Sequence, residues 1–134
     1  MKVILDTNVF VSGVFFSGPP YRILEAWRDD KIQLVVSPEI LQEYRRVGEI
    51  LAEEHPVISL SPLIELVVQR ASIFSAPPLP QPICNDLDDE KFLACALASK
   101  SKIIISGDKH LLNVSGYEGI EILKPRGFLE KYLE

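Results

Sequence analysis

Residues 102–112 read KIIISGDKHLL, three isoleucines in succession followed by Ser-Gly-Asp. A short, continuous run of β-branched residues is typical of a strand buried on both faces of a parallel sheet. Residues 2–8, KVILDTN, repeat the arrangement at the start of the chain, where an apolar run again ends at an aspartate. Two predicted strands therefore each end at an acidic side chain, Asp6 in one and Asp108 in the other.

Further strands and helices alternate along the chain. Strands are predicted at Gln33–Val36 and Ile120–Leu123. After the first strand we expect only an apolar turn of helix, which Gly13 breaks. The longer predicted helices are Tyr21–Asp30, one that Ser37 caps and Pro38 opens, one from Ser61-Pro62 to about Ile73, Asp88–Ser99 and Pro125–Leu133.

This alternation predicts an α/β fold with a parallel, doubly wound sheet. In such sheets the functional site lies at the carboxyl ends of the strands. If the strands that end at Asp6 and Asp108 are neighbours, their backbones lie roughly 4.8 Å apart and both carboxylates can reach one cation.

Composition limits the classes of function. The chain has 134 residues, and we expect a single domain spanning 1–134. The net charge is −5, so no global positive field attracts nucleic acid. Cys84 and Cys95 are too few for a disulfide framework, and no secretory signal or transmembrane run is evident, so we expect a cytoplasmic protein.

The acidic residues also have simpler interpretations. Asp6 and Asp108 are each suited to cap the helix that follows. An acidic first turn such as Asp86, Asp88 and Asp89 is favoured by the helix dipole alone. Of that group, Asp89 is the candidate metal ligand, because it lies three residues before Phe92 at the edge of the buried face.

Other candidates support these acids. Thr7, Asn8 and Ser106 are expected to hold a carboxylate by hydrogen bonds or to end their own elements, and Asp86 to cap a helix or support the site. Glu43 lies inside a helix, where most glutamates are solvated. Lys91 and Lys109 flank proposed acids and are the best candidates for contacts with phosphate.

Four motifs, in this order along the chain, resemble those of PIN-domain nucleases. Within that family the chain most resembles the prokaryotic toxins of toxin–antitoxin pairs. The motifs are LDTNVFVSG, SPEILQEYRRV, DLDDEKFLACALAS and IISGDKHLL. The resemblance implies an α/β/α sandwich with a parallel sheet of four to five strands. It implies that Asp6, Glu43, Asp89 and Asp108 are catalytic, with Ser106 at the family's Ser/Thr position.

The resemblance further implies hydrolysis of RNA phosphodiesters with Mg²⁺ or Mn²⁺, which orients and activates a water for in-line attack. It also implies an antitoxin partner and a homodimer. Two departures are noted: this group often has Asn where Glu90 stands and Asp where His110 stands. Both leave the four acids intact and bear on the finer coordination of a cation.

Two other functions remain open at this point. A PIN fold with weak metal binding would hold RNA or protein without cutting. A phosphatase of the haloacid dehalogenase type also opens with a strand and an aspartate, but it needs a second aspartate two residues on, where this chain has Asn8. For self-association, we expect the apolar faces of two helices, near Ile40–Leu51 and Leu63–Ile73, to form the interface.

Overall fold

The structure is a computed structural model that describes residues 1–56 and 58–134. The strands are β1 (Lys2–Leu5), β2 (Gln33–Val36), β3 (Ser72–Ile73), β4 (Ile103–Ile105) and β5 (Glu121–Leu123). The helices are α1 (Thr7–Phe15), α2 (Pro19–Arg28), α3 (Pro38–Glu54), α4 (Ser61–Arg70), α5 (Glu90–Ser99), α6 (Lys109–Leu112) and α7 (Pro125–Phe128). Short 3₁₀ turns occupy Leu87–Asp89 and Tyr117–Gly119, and a π-helical turn, Leu129–Leu133, follows α7.

The five strands form one parallel sheet in the order β3-β2-β1-β4-β5, with helices flanking it. The predicted α/β class with a parallel sheet is confirmed. Strand β1 is central, and its last residue, Leu5, lies opposite Ile105, the last residue of β4. The strands that end at Asp6 and Asp108 are therefore neighbours, as the site prediction required.

The middle of the sheet is closed to water on both faces. Val3, Ile4 and Leu5 are at most 1% exposed, and so are Ile104 and Ile105. A polar side chain at the end of either strand therefore emerges from an apolar wall, where an unpaired charge is costly.

Helix α3 is fixed to the end of β1 by Tyr44. The ring of Tyr44 stacks on that of Phe10 with centroids 4.1 Å apart, and its hydroxyl donates a hydrogen bond to the backbone carbonyl of Leu5. Tyr44 is fully buried. The contact sets the rotation of α3 about its axis, and with it the direction in which the neighbouring Glu43 points.

Two local predictions are corrected by the fold. Gly13 does not break a helix but lies inside α1, where α2 approaches closely. A Cβ on Gly13 would lie 2.7 Å from Cδ1 of Leu24 and 2.8 Å from the carbonyl oxygen of Pro20. Glycine is required there for packing, which local sequence patterns do not reveal.

The helix predicted to run to Ile73 ends at Arg70, and the next residues form the edge strand β3. Phe74 extends this pairing, since its backbone N–H donates to the carbonyl of Val36. Ser61 is the first residue of α4 rather than its cap. By contrast, Ser37 caps α3 as predicted, because its hydroxyl accepts from the N–H of Ile40.

Cys84 and Cys95 are both buried free thiols, as expected. Burial raises the pKa of each to about 12, so both stay protonated at neutral pH. None of the helices in the described ranges is long and apolar enough to cross a membrane.

Candidate functional site

A cavity of about 200 Å³ opens at the carboxyl ends of β1 and β4. All four predicted acids line it, together with five neighbours: Asp6, Glu43, Asp89 and Asp108, then Thr7, Asn8, Val47, Asp86 and Phe92. The four acids come from four separate segments of the chain. The structure thus brings together the residues that the sequence motifs had singled out, while their chemical role stays a prediction.

Asp6 is the most enclosed of the four acids, with 5% of its surface exposed. One oxygen accepts from the backbone N–H of Val9 at 2.8 Å, and the other from the hydroxyl of Ser106. Burial raises the pKa of Asp6, while these two hydrogen bonds lower it and the charges of Asp108 and Glu43 raise it. Asp6 therefore caps α1 and lines the cavity at once, so the two interpretations of this residue are compatible.

Ser106 connects the ends of the two strands. Its hydroxyl donates to Asp6 and accepts from the backbone N–H of Asp108 at 2.9 Å. The expected carboxylate contact of Ser106 is therefore present. Asp108 in turn caps α6, since its Oδ1 accepts from the N–H of His110 at 2.7 Å, and it also lines the cavity.

Of the four carboxylates, Asp89 receives the fewest hydrogen bonds from the described residues. Its Oδ2 is buried and has no hydrogen-bond partner among the described residues. Burial raises the pKa of Asp89 to about 7, with further contributions from the charges of Asp108, Asp86 and Asp6. A buried carboxylate oxygen with no donor is costly unless a cation or a proton is supplied.

Glu43 is not solvated, contrary to the interpretation from its position within a helix. Its side chain is 16% exposed, and Oε2 accepts a hydrogen bond from the hydroxyl of Thr7. Its Oε1 lies 2.6 Å from Nζ of Lys91 and 3.7 Å from Nη2 of Arg46. Thr7 thus holds a carboxylate as predicted, but the carboxylate is that of Glu43 rather than Asp6.

The remaining candidates divide into two groups. Asp86 caps the 3₁₀ turn at Leu87–Asp89 through the N–H of Asp88, and Asn8 lines the cavity with its side chain exposed. The two lysines differ: Lys109 is exposed, whereas Lys91 is 22% exposed and paired with Glu43. A contact of Lys91 with phosphate stays a prediction, and it would have to share or replace this ion pair.

The two residues that depart from the family pattern, Glu90 and His110, have different surroundings. Glu90 does not line the carboxylate cavity, and its oxygens accept from the backbone N–H groups of Ile83 and Cys84 at 2.8 and 3.0 Å. His110 has a buried Nδ1 without a partner among the described residues, and its charge opposes the rise in the pKa of Asp89. The sequence marked His110 only as a departure from the family pattern and did not reveal its half-buried position beside the acids.

The chemistry of the cavity suits a hard divalent cation. Such ions prefer carboxylate oxygens, and the cavity offers four carboxylates and the unpartnered Oδ2 of Asp89. Within residues 1–56 and 58–134, no three His, Cys, Asp or Glu side chains are drawn up closely enough to hold an ion as they stand. The donor set fits a cation, and binding one would require these side chains to move inward.

Comparison with known proteins gives two findings. The family profile described as "PIN domain" matches residues 2–110, which include all four acids. The chain is also 29% identical, over an alignment 147 positions long, to a protein of Methanocaldococcus jannaschii named "Uncharacterized protein MJ1680". That alignment covers 98% of this chain and 92% of the relative. PIN domains are in general nucleases, hence hydrolases, and they generally use divalent metal ions.

Proposed function

The chain belongs to the PIN domain family, and from this premise we propose that it is a Mg²⁺- or Mn²⁺-dependent endoribonuclease, the toxin component of a toxin–antitoxin pair. One observation carries the proposal of metal-dependent cleavage. Four carboxylates from separate segments line one cavity, and one of their oxygens, Oδ2 of Asp89, is buried without a donor. The choice of RNA and the toxin role rest on the resemblance of the four motifs.

The residues that would hold the cation are Asp6, Asp89 and Asp108. Bound there, a divalent cation would supply positive charge to a water and to the phosphate, which favours hydrolysis of a phosphodiester. Glu43 is the fourth acid of the site, and its two oxygens contact the hydroxyl of Thr7 and Nζ of Lys91.

The protein's own groups prepare this site in three ways. Ser106 and the N–H of Val9 hold Asp6 in one orientation, with both its oxygens engaged. Lys91 neutralises Glu43, which limits the repulsion among the acids. The apolar wall behind Asp6, formed by β1 and β4, keeps water away from one side of the carboxylates.

The test is cleavage of single-stranded RNA by the purified protein in Mn²⁺ and in EDTA. We expect cleavage within the strand in Mn²⁺ only, giving products with 5′-phosphate and 3′-hydroxyl ends. Cleavage in EDTA at an equal rate would overturn metal dependence, and absence of cleavage in both Mn²⁺ and Mg²⁺ would overturn the nuclease.

A second candidate, a binding module that does not cut, is favoured by one observation. Oε1 of Glu43 already lies 2.6 Å from Nζ of Lys91, so one of the four acids is engaged by a charge of the chain itself. RNA binding in EDTA as tight as in Mn²⁺, without cleavage, would support this alternative. The phosphatase alternative gains nothing from the structure, because Asn8 stands where its general acid belongs.

The proposed partners are RNA, an antitoxin and a second copy of the chain, in the cytoplasm. Lys91 and Lys109 are proposed as phosphate contacts. Replacing either lysine by alanine should lower the slope of the logarithm of RNA affinity against the logarithm of salt concentration by roughly 0.7.

For the homodimer, the proposed interface contains exposed apolar side chains: Ile50 of α3 and Val68 of α4 are 53% and 45% exposed, and Ile73 is 46% exposed. A mass near the 15.0 kDa of one chain in light scattering would contradict the dimer.

A further inference from the structure

Beside the carboxylate cavity lies a second depression, here called the proline groove, with a volume of about 350 Å³. It is lined mainly by apolar side chains, among them Pro78, Leu79, Pro82, Leu87 and Ala94. Volumes of this size are typical of sites for small organic groups. Nothing in the four-acid chemistry described above makes use of this groove.

Two residues of the proline groove, Lys91 and Leu87, border the carboxylate cavity. Lys91 lines the groove, and its Nζ lies 2.6 Å from Oε1 of Glu43, which lines the cavity. Leu87 also lines the groove, and it lies in the 3₁₀ turn between Asp86 and Asp89, both of which line the cavity. A chain of nucleotides with one phosphate at the acids therefore has an adjacent group at the groove.

The wall of the groove is preformed. Residues 76–82, rich in proline, form one side, and α5 forms another. The carboxylate of Glu90 at the start of α5 accepts from the N–H groups of Ile83 and Cys84, which fixes the end of this segment against α5. Proline also restricts the backbone, so little conformational entropy is lost when a ligand binds.

The charge of the groove determines which part of a nucleotide fits. Two carboxylates, Glu39 and Glu90, line the groove against one lysine, Lys91, whose charge is already paired with Glu43. The groove itself therefore repels phosphate. The faces of a nucleobase are flat and apolar, and the exposed side chain of Leu87, 67% exposed, offers a matching surface. A base that carries an exocyclic amino group can also donate to the carboxylate of Glu39.

We propose that the proline groove binds a nucleobase of the substrate, next to the phosphate that lies at the four acids. The inference rests on the proposed nuclease function for its location in the reaction. Glu39 favours cytosine, adenine or guanine over uracil, because uracil has no amino group and its N3–H lies between two carbonyl oxygens that a carboxylate repels.

The groove is tested first without cleavage. The metal-free protein is titrated with 5′-CMP, 5′-UMP and ribose 5-phosphate, and backbone amide shifts are followed by NMR. We expect 5′-CMP to shift the amides of Leu79, Leu87 and Ala94, with ribose 5-phosphate leaving them unchanged. Equal shifts with ribose 5-phosphate, or 5′-CMP shifts confined to other residues, would overturn the proposal.

A matched pair of variants sharpens the test. Leu87→Ala removes apolar surface from the groove, whereas Leu97→Ala changes an exposed leucine of α5 that does not line it. We expect Leu87→Ala to weaken 5′-CMP binding roughly fivefold and Leu97→Ala to leave it unchanged. Equal affinities of both variants and the wild type would overturn the groove.

RNA cleavage is measured in parallel, so that the two proposals fail separately. In Mn²⁺, Leu87→Ala should raise the KM for an oligonucleotide roughly fivefold with kcat nearly unchanged. An oligonucleotide with an abasic nucleotide at the groove position should lose this dependence on Leu87. Binding of 5′-CMP in the groove without any cleavage would support the groove and contradict the nuclease, whereas cleavage indifferent to base removal next to the cut would contradict the groove alone.

Discussion

Glu43 and Lys91, on α3 and α5, form an ion pair with Oε1 and Nζ 2.6 Å apart at the edge of the carboxylate cavity. The pair joins α3, which carries Glu43, to α5, whose first residue directly follows Asp89. Lys91 thereby places a positive charge of the chain itself beside the group of acids. The coupling free energy between Glu43 and Lys91 is measurable.

A double-mutant cycle with Glu43→Gln and Lys91→Met measures the pair. The side chains are 16% and 22% exposed, so removing one partner leaves a largely desolvated charge. We expect each single change to lower the free energy of unfolding by roughly 1–3 kcal/mol, and the double change to cost less than their sum by about 1 kcal/mol or more. Urea denaturation gives these values, and strictly additive effects would show that the two groups do not interact in solution.

The stability of the metal-free protein should fall as the pH rises from about 4 to above 7. Burial and neighbouring acids raise the pKa of Asp89 to about 7 in the fold, against 3.8 ordinarily, so the native state holds this proton in that window and the unfolded chain does not. The contribution is fully present below the unfolded pKa and is lost as the pH passes the folded pKa. The loss should be on the order of 1–2 kcal/mol, discounted for the exposed part of the group.

Urea denaturation in EDTA at pH 5 and pH 8 tests this dependence. Asp89→Asn should reduce the difference between the two pH values, while Asp88→Asn, which changes an exposed neighbour, should leave it as in the wild type. If Asp89→Asn and Asp88→Asn showed the same pH dependence, Asp89 would not carry the proton.

Mn²⁺ at millimolar concentration should raise the melting temperature by several degrees. A ligand that binds only the folded state adds RT ln(1 + [L]/Kd) to its stability, about 2.7 kcal/mol at a hundredfold excess over Kd. Asp89→Asn should remove most of the rise. A melting temperature that does not change on addition of Mn²⁺ would favour the binding module over the nuclease.

Gly13→Ala should lower the free energy of unfolding by roughly 1–3 kcal/mol, because the new Cβ would meet the carbonyl of Pro20 and the side chain of Leu24. Gly127→Ala is the matched control. Gly127 also lies in a helix, but its Cβ would have no neighbour within 4 Å among the described residues. Chemical denaturation of the two variants decides the matter, and equal stability would show that α1 and α2 separate easily.

Much of the fold could be predicted from local patterns. The apolar runs that form β1, β2 and β4 are continuous and end at polar residues, which is how buried parallel strands appear in sequence, while Glu121 interrupts the run of β5. Strand β3 has only two residues and lies at the edge of the sheet, so no periodic signal marks it. Whether a glycine breaks a helix or allows close packing depends on the partner helix, which the sequence around Gly13 does not contain.

The site was predictable to a similar extent. Asp6 and Asp108 follow from the rule that parallel strands end at one edge of the sheet. The burial of Glu43 does not follow from its own helix, because it depends on the stacking of Tyr44 on Phe10 and on a lysine 48 residues away. The resemblance to PIN domains pointed to Glu43 where the local pattern pointed to solvent.

The most direct test of the account is the rate of single-stranded RNA cleavage in Mn²⁺ by the wild type, Asp89→Asn and Asp88→Asn. The two variants remove one negative charge at adjacent positions, one on the carboxylate cavity and one exposed outside it. The account predicts a loss of roughly a hundredfold or more for Asp89→Asn and a rate within about twofold of the wild type for Asp88→Asn, with both variants folded. A folded Asp89→Asn protein that cleaves RNA at the wild-type rate would contradict it.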